Sequence, residues 1–212
     1  MHGLSPGRDE STASVPMSTG RSPRLVERAQ ELAAAMRFER SSIPEVGRLL
    51  AALAASQPRG RLAEIGTGTG VGAAWIVSAM GPEAFFVTAE ADADRAAACA
   101  QLFVSSSNVR VLHGDWHEVL PPEAPFDLLF FDGGGWKRSP PAQMRDESER
   151  ALELVAPGGV VAMDNLTPEH LWPADGPRWP DALRRFWLGS DTLVATEILT
   201  TPDSSAIVAV KR

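Results

Sequence analysis

The sequence predicts an α/β fold built on a doubly wound, mostly parallel sheet that ends in an antiparallel C-terminal hairpin strand. Three observations carry this expectation. Between Arg61 and Met163, short and nearly continuous apolar runs alternate with helical stretches, as parallel strands covered on both faces require. The first of these runs leads directly into Gly66-Thr67-Gly68-Thr69-Gly70 and then into a helix. The chain closes with two β-rich runs, Leu193 to Leu199 and Ala206 to Val210, joined by the turn-forming segment Thr200 to Ser205.

Taken in order, residues 1–20 are rich in Ser, Gly and Pro and poor in large apolar groups, so a disordered tail is expected there. A single domain then covers 21–212, with N-terminal helices over 21–57 and a Rossmann-like core over 61–212. Ser22-Pro23 reads as an N-cap and first helical position. That helix should run to about Arg40 with Leu25, Ala29, Leu32, Ala33 and Met36 on one face. Ser42 and Pro44 open a second helix through Leu49, Leu50 and Leu53 to near Ser56. Both precede the first strand and are expected to cap the sheet or the site. The strands fall at 61–65, 84–90, 109–113, 126–131 and 159–163, and the helices at about 70–80, 92–105, 116–119 and 141–155.

Composition bounds the function. A chain of 212 residues has room for one full core, and 44% hydrophobic with 22% charged residues is ordinary for a globular domain. The formal charge of −7 argues against nucleic acid or an anionic membrane as partner. A small-molecule acceptor is the expected partner, with a homodimer as an open alternative to a monomer. The single cysteine, Cys99, excludes an internal disulfide and a multi-cysteine zinc site, and its alanine-rich helix suggests a packing role. No apolar run is long enough to span a bilayer and the N-terminus lacks a signal peptide's apolar core, so a cytoplasmic location is expected.

The glycine loop carries the chemistry. Glycine lets backbone approach a ligand where a side chain would block it. With a preceding strand and a following helix N-terminus, the loop suits a nucleotide-type ligand. Gly68, Gly70 and Ala73 fit the looser dinucleotide fingerprint. The same stretch also reads E-x-G-x-G-x-G from Glu64. The second strand ends in Glu90, 24 residues after Gly66, where a carboxylate can accept hydrogen bonds from both ribose hydroxyls. That feature supports an adenosine ligand without choosing between nicotinamide and sulfonium cofactors.

Ligands in such sheets bind beyond the carboxyl ends of the strands. Those ends carry His113-Gly114-Asp115-Trp116, Phe131-Asp132-Gly133-Gly134-Gly135-Trp136-Lys137 and Met163-Asp164-Asn165. Asp132, Asp164 and Asn165 offer two carboxylates and an amide oxygen, hard ligands suited to Mg²⁺, Mn²⁺ or Ca²⁺.

These residues resemble the metal-dependent O-methyltransferases of the catechol and caffeoyl-coenzyme A type, over about residues 40 to 212. Glu64 to Gly70 is similar to motif I of class I methyltransferases that use S-adenosylmethionine. The resemblance implies S-adenosylmethionine and a divalent cation as cofactors. It places the methionine end beside Val46 in Pro44-Glu45-Val46-Gly47. It places the rest of the cofactor against Glu64, Gly66, Thr67, Gly68, Gly70, Gly72, Glu90, Asp115, Trp116 and Asp132. It makes Asp132, Asp164 and Asn165 metal ligands, and Asp132 and Lys137 catalytic.

Two departures stand out. Gly72 lies where relatives carry a serine that touches the cofactor. The lysine that relatives place three residues after the first metal aspartate is here Gly135, and Lys137 follows Asp132 by five. Either the glycine run lets Lys137 fold back into the site, or the proton leaves by another route, His117 being a second candidate base. The implied reaction is in-line transfer of a sulfonium methyl to a hydroxyl oxygen, with the metal lowering the hydroxyl's pKa and two adjacent hydroxyls of an aromatic ring chelating it. The aromatic, proline-rich segment Leu166 to Pro173, with Trp179, suits an acceptor-covering loop. A metal-independent methyltransferase and a catalytically silent cofactor-binding module remain alternatives. The absence of tyrosine removes the short-chain dehydrogenase mechanism.

Overall fold

A computed structural model describes residues 22–133, 135–172 and 179–212. The expected tail, residues 1–20, lies outside them. Two helices, α1 (Arg24–Ala35) and α2 (Pro44–Ala55), precede the sheet. The strands are β1 (Arg61–Ile65), β2 (Phe85–Glu90), β3 (Val109–His113), β4 (Phe126–Phe131), β5 (Val155–Leu166), β6 (Leu193–Thr201) and β7 (Ser204–Lys211). The intervening helices are α3 (Val71–Ala79), α4 (Ala93–Leu102), α5 (Trp116–Val119), α6 (Pro141–Glu153) and α7 (Trp179–Gly189). The sheet order is β3-β2-β1-β4-β5-β7-β6, parallel through β5 and antiparallel at β7 and β6. This is the expected doubly wound α/β architecture with its antiparallel C-terminal hairpin.

Strand alternation sorts the core onto two faces. Leu128 and Phe130 of β4 join Leu62, Phe86 and Ala162 beneath α1–α4, where Val26, Leu50, Trp75, Ile76 and Cys99 are buried. Leu129 and Phe131 join Ile65, Val87, Val161 and Met163 beneath α6 and α7, against Met144, Ala151, Leu183 and Trp187. Cys99 is fully buried, as its packing role requires. Gly47 of α2 lies against the Trp75 indole, where an added Cβ would come within 2.4 Å of the ring, so the N-terminal helices cover the sheet through α3.

Several boundaries differ from expectation. Helix α1 ends at Ala35 because Arg37 turns left-handed at φ 52°. Its N-cap is Pro23, and that of α2 is Ile43; neither makes a side-chain capping bond. Strand β5 begins at Val155 rather than 159, a register shift against β4 absorbing the extra residues through Gly158 at φ 80°. The C-terminal turn is tighter than the six residues expected, since β6 and β7 are separated by Pro202-Asp203 alone. Among the described residues, no helix is long and apolar enough to cross a membrane.

Candidate active site

Parallel register aligns the strand ends. Ile65 pairs with Ala89 on one side and Phe131 on the other, so the segments after β1, β2 and β4 leave the sheet at one edge. The Gly66 and Thr67 N–H groups donate to the Ala89 carbonyl at 3.0 and 3.2 Å. Those of Asp132 and Gly133 donate to the Ile65 carbonyl at 3.2 and 2.6 Å. The loops after β1 and β4 then touch backbone to backbone. A Cβ at Gly66, which stands at φ +91°, would lie 2.3 Å from the Gly133 Cα. Gly133 is thus required by a residue far away in sequence, a reason the glycine run alone does not reveal.

Two carboxylates flank the glycine loop. Glu64 is buried in β1, where the Thr88 hydroxyl donates to its Oε2 at 2.8 Å and Thr67 shares a 2.6 Å hydrogen bond with Thr88. Burial pushes the Glu64 pKa well above its ordinary value; the Thr88 bond opposes the rise and the charges of Asp132, Glu90 and Asp164 add to it. Glu90 ends β2. Its Oε2 accepts the Gly68 N–H at 2.7 Å, and its Oε1 accepts the Asp92 N–H at 2.9 Å and Arg95 Nη2 at 2.8 Å. The Arg95 guanidinium lies 5.4 Å from the Phe38 ring centre, and Phe38 rests on Gly68, 2.9 Å from where a Cβ would stand. Phe38 and Arg95 escaped the sequence reading. The available signal for Arg95 was Asp92, an N-cap whose side chain accepts the Arg95 N–H at 3.0 Å and so fixes Arg95 on the first turn beside Glu90.

The Thr69 hydroxyl in this loop is buried and has no hydrogen-bond partner among the described residues. Val46 is buried on α2. Gly72 opens α3 so close to Glu64 that a Cβ would come 2.6 Å from Oε1 and 3.1 Å from the Ser42 hydroxyl. A serine at position 72 would therefore require the Glu64 carboxylate to shift, so glycine suits this packing.

The segment after β3 is tied rather than free. The Asp115 carboxylate caps α5 through the His117 N–H at 3.0 Å and meets the His117 ring at 2.7 Å, which holds its pKa below the ordinary aspartate value. The other His117 nitrogen meets Glu147 at 3.0 Å. Trp116 stacks on the His117 ring at 3.9 Å. With both ring nitrogens committed to carboxylates, His117 has no nitrogen left to serve as the base.

Lys137 settles the second departure. Trp136 is buried and stacks on Phe131 at 4.0 Å and 7°, which anchors a 3-10 turn over Trp136–Arg138 and turns Lys137 inward. Its Nζ donates to the Asp164 carbonyl at 2.7 Å and lies 3.2 Å from Asp132 Oδ1 and 3.4 Å from Asp164 Oδ1. Asp164 is 6% exposed. Burial pushes its pKa up to about 6, with the Lys137 charge opposing the rise and Asp132 adding to it. Asn165 follows at φ 58°, exposed, where the β5–β7 pairing shifts register between Met163 and Leu166. This bulge sets both residues at the sheet's edge, and asparagine is among the few side chains that tolerate the left-handed region.

Beyond it, Arg184 of α7 ties the next segment down. It donates to the Thr167 carbonyl at 2.8 Å and doubly to Glu197, at 2.7 and 2.5 Å, while lying 4.8 Å over the Trp172 ring.

The glycine cradle, the orphaned Thr69 hydroxyl and the strand-end Glu90 fit an adenosine-type cofactor. The divalent cation fits less well. Asp132 and Asp164 come together as expected, but the Lys137 ammonium already stands between them on the oxygens a cation would need. Among the described residues, no group of three His, Cys, Asp or Glu side chains gathers to hold a metal.

Comparison with known proteins bears on the fold. Residues 63–166 match a family profile described as a methyltransferase domain. Over those residues the chain resembles a methyltransferase domain. A putative O-methyltransferase from Mycobacteroides abscessus is 29% identical over 126 residues, covering 57% of this chain and 56% of the relative, so the chain spans little more than half the length of such relatives. An O-methyltransferase from Bacillus cereus, solved in complex with S-adenosylhomocysteine, superposes with a TM-score of 0.73 at 22% identity, covering 91% of this chain and 92% of that one. The Streptomyces achromogenes O-methyltransferase TomG, of tomaymycin synthesis and solved with S-adenosylmethionine, gives 0.72 at 24% identity with the same coverage. These likenesses establish that the methyltransferase domain shares their fold.

Proposed function

We propose that the methyltransferase domain transfers the methyl group of S-adenosylmethionine to a hydroxyl oxygen of a small, aromatic, catechol-like acceptor. The observation that carries this reading is the backbone contact between Gly66 and Gly133. It joins the loop between Glu64 and Glu90 to the Asp132–Lys137–Asp164 cluster, so a cofactor and an acceptor would meet there. Glu90 would take the ribose hydroxyls and the Gly66–Gly70 loop the methionine side, with Val46, Thr67 and Gly72 behind it and Asp115 and Trp116 near the adenine.

S-adenosylmethionine, when bound, supplies an electrophilic methyl whose C–S bond breaks, its electron pair passing to sulfur, as the acceptor oxygen bonds the carbon. The chain's residues do the rest. Lys137, held between Asp132 and Asp164, offsets negative charge developing on the acceptor oxygen. The hydroxyl proton passes to the Asp132–Asp164 pair, where Asp164, raised to about 6, holds it better than an ordinary aspartate. The resemblance assigns Asp132, Asp164 and Asn165 to a Mg²⁺-type cation. With Lys137 in its place these residues do not fit one.

The test is methyl transfer from labelled S-adenosylmethionine to a panel of catechols and monophenols. Label in a catechol product, lost in Asp164→Ala, is the expected result. Label in none of these acceptors, with cofactor binding intact, would overturn the hydroxyl acceptor and leave the silent-module reading.

A further inference from the structure

The acceptor site holds a cation of its own. The Lys137 ammonium has three N–H donors, and three oxygens surround it: the Asp164 carbonyl at 2.7 Å, Asp132 Oδ1 at 3.2 Å and Asp164 Oδ1 at 3.4 Å. Its side chain is only 12% exposed. The turn that delivers it is pinned at both ends. Gly133 is locked against Gly66, and Trp136 is buried in a stack on Phe131. The Trp136 carbonyl closes the turn by accepting the Ser139 N–H at 3.0 Å.

We propose that Lys137 is the resident cation of this site, standing between Asp132 and Asp164 in place of a divalent metal and making the chain a metal-independent methyltransferase. This rests on the methyltransferase reading above. A hard divalent ion needs carboxylate oxygens in direct contact, and an ammonium on the same oxygens disfavours it because the two like charges repel. Expelling Lys137 would strand a shielded lysine and break its bond to the Asp164 carbonyl. The two carboxylates among the expected ligands are already neutralised in part by Lys137, and the third ligand, Asn165, is an exposed residue on a left-handed bulge. The displacement of the lysine from the third to the fifth position after Asp132 is then what allows it to reach between the carboxylates instead of standing beside a metal.

The experiment is Mn²⁺ titration followed by paramagnetic resonance, on the whole chain, with S-adenosylhomocysteine calorimetry run beside it. The wild type should show no saturable Mn²⁺ site into the millimolar range. Lys137→Met should gain one, at least about tenfold tighter, which a second substitution, Asp164→Asn, removes. Lys137→Arg, which keeps the charge, should bind no Mn²⁺. Methyl transfer by the wild type should be unchanged in excess EDTA. A wild-type Mn²⁺ site abolished by Asp164→Asn would overturn the proposal, as would failure of Lys137→Met to gain one. Loss of S-adenosylhomocysteine binding in every variant and the wild type would instead strike the methyltransferase reading, so the two failures are distinguishable.

Discussion

Replacing Gly66 by alanine tests the contact that assembles the site. Position 66 stands at φ +91°, where an L-residue carries a strain of about 1–3 kcal/mol. The new methyl would lie 2.3 Å from Gly133 Cα and 2.7 Å from its N, both backbone atoms that no rotamer change can move. Relief requires the loop after β4 to retreat, which loosens the Asp132 and Gly133 N–H bonds to the Ile65 carbonyl. At about 1 kcal/mol each, those bonds bring the total to about 3–5 kcal/mol. For a chain of this size the melting temperature should fall by about 6–20 °C. Gly133→Ala meets Gly66 Cα at 2.7 Å without an unfavourable φ and should cost less. Since the two share one contact, the double variant should cost less than the sum. Urea and thermal unfolding measure the stability terms, and calorimetry the cofactor affinity, which should fall in parallel. A Gly66→Ala protein melting within about 2 °C of wild type would refute the claim that these loops are locked together.

Three further outcomes follow from the described geometry. Glu64→Gln should stabilise the protein increasingly as pH rises. The folded-state pKa of Glu64 lies above its ordinary 4.5, so its stabilisation is full below about that pH and is lost on climbing through the folded value. Asp164 contributes with the same sign between 3.8 and about 6 in both proteins, so a wild-type-to-variant difference in melting temperature that stays flat across pH would contradict the buried-carboxylate assignment. Glu90→Gln should weaken S-adenosylhomocysteine binding by about 1–3 kcal/mol, the scale for charge-assisted hydrogen bonds, and calorimetry showing equal affinity would rule out Glu90 as the ribose acid. Arg184→Ala should cost about 2–3 kcal/mol in urea unfolding, below the value for a fully buried pair because the Glu197 side chain is 21% exposed; no loss would show that the Arg184–Glu197 pair does not anchor the segment after β5.

What could be read from the chain in advance was whatever local chemistry dictates. Gly66, Gly68 and Gly70 follow an apolar strand, and all three take positive φ. Glu90 closes the next strand at ribose spacing and does sit beside Gly68. What stayed hidden depended on contacts distant in sequence. Gly133 answers to Gly66, and Lys137 is placed by Trp136 stacking on Phe131, neither of which periodicity shows. Helix α7 (Trp179–Gly189), whose Leu183 and Trp187 complete the core, escaped the sequence reading. Of the expected covering segment Leu166 to Pro173 with Trp179, Trp179 opens this helix and Pro173 lies outside the described residues. Strand β5 outran its expected start because Pro157-Gly158-Gly159 marks a register shift inside a strand as readily as a turn before one.

The most direct test of the central claim is titration of the purified chain with S-adenosylhomocysteine and, in parallel, with NAD. The geometry of the glycine loop, Glu64 and Glu90 predicts one saturable site for S-adenosylhomocysteine, weakened by Glu90→Gln, and no heat with NAD. Saturable NAD binding with none for S-adenosylhomocysteine would contradict it and return the loop to the dinucleotide reading that Gly68, Gly70 and Ala73 also allow.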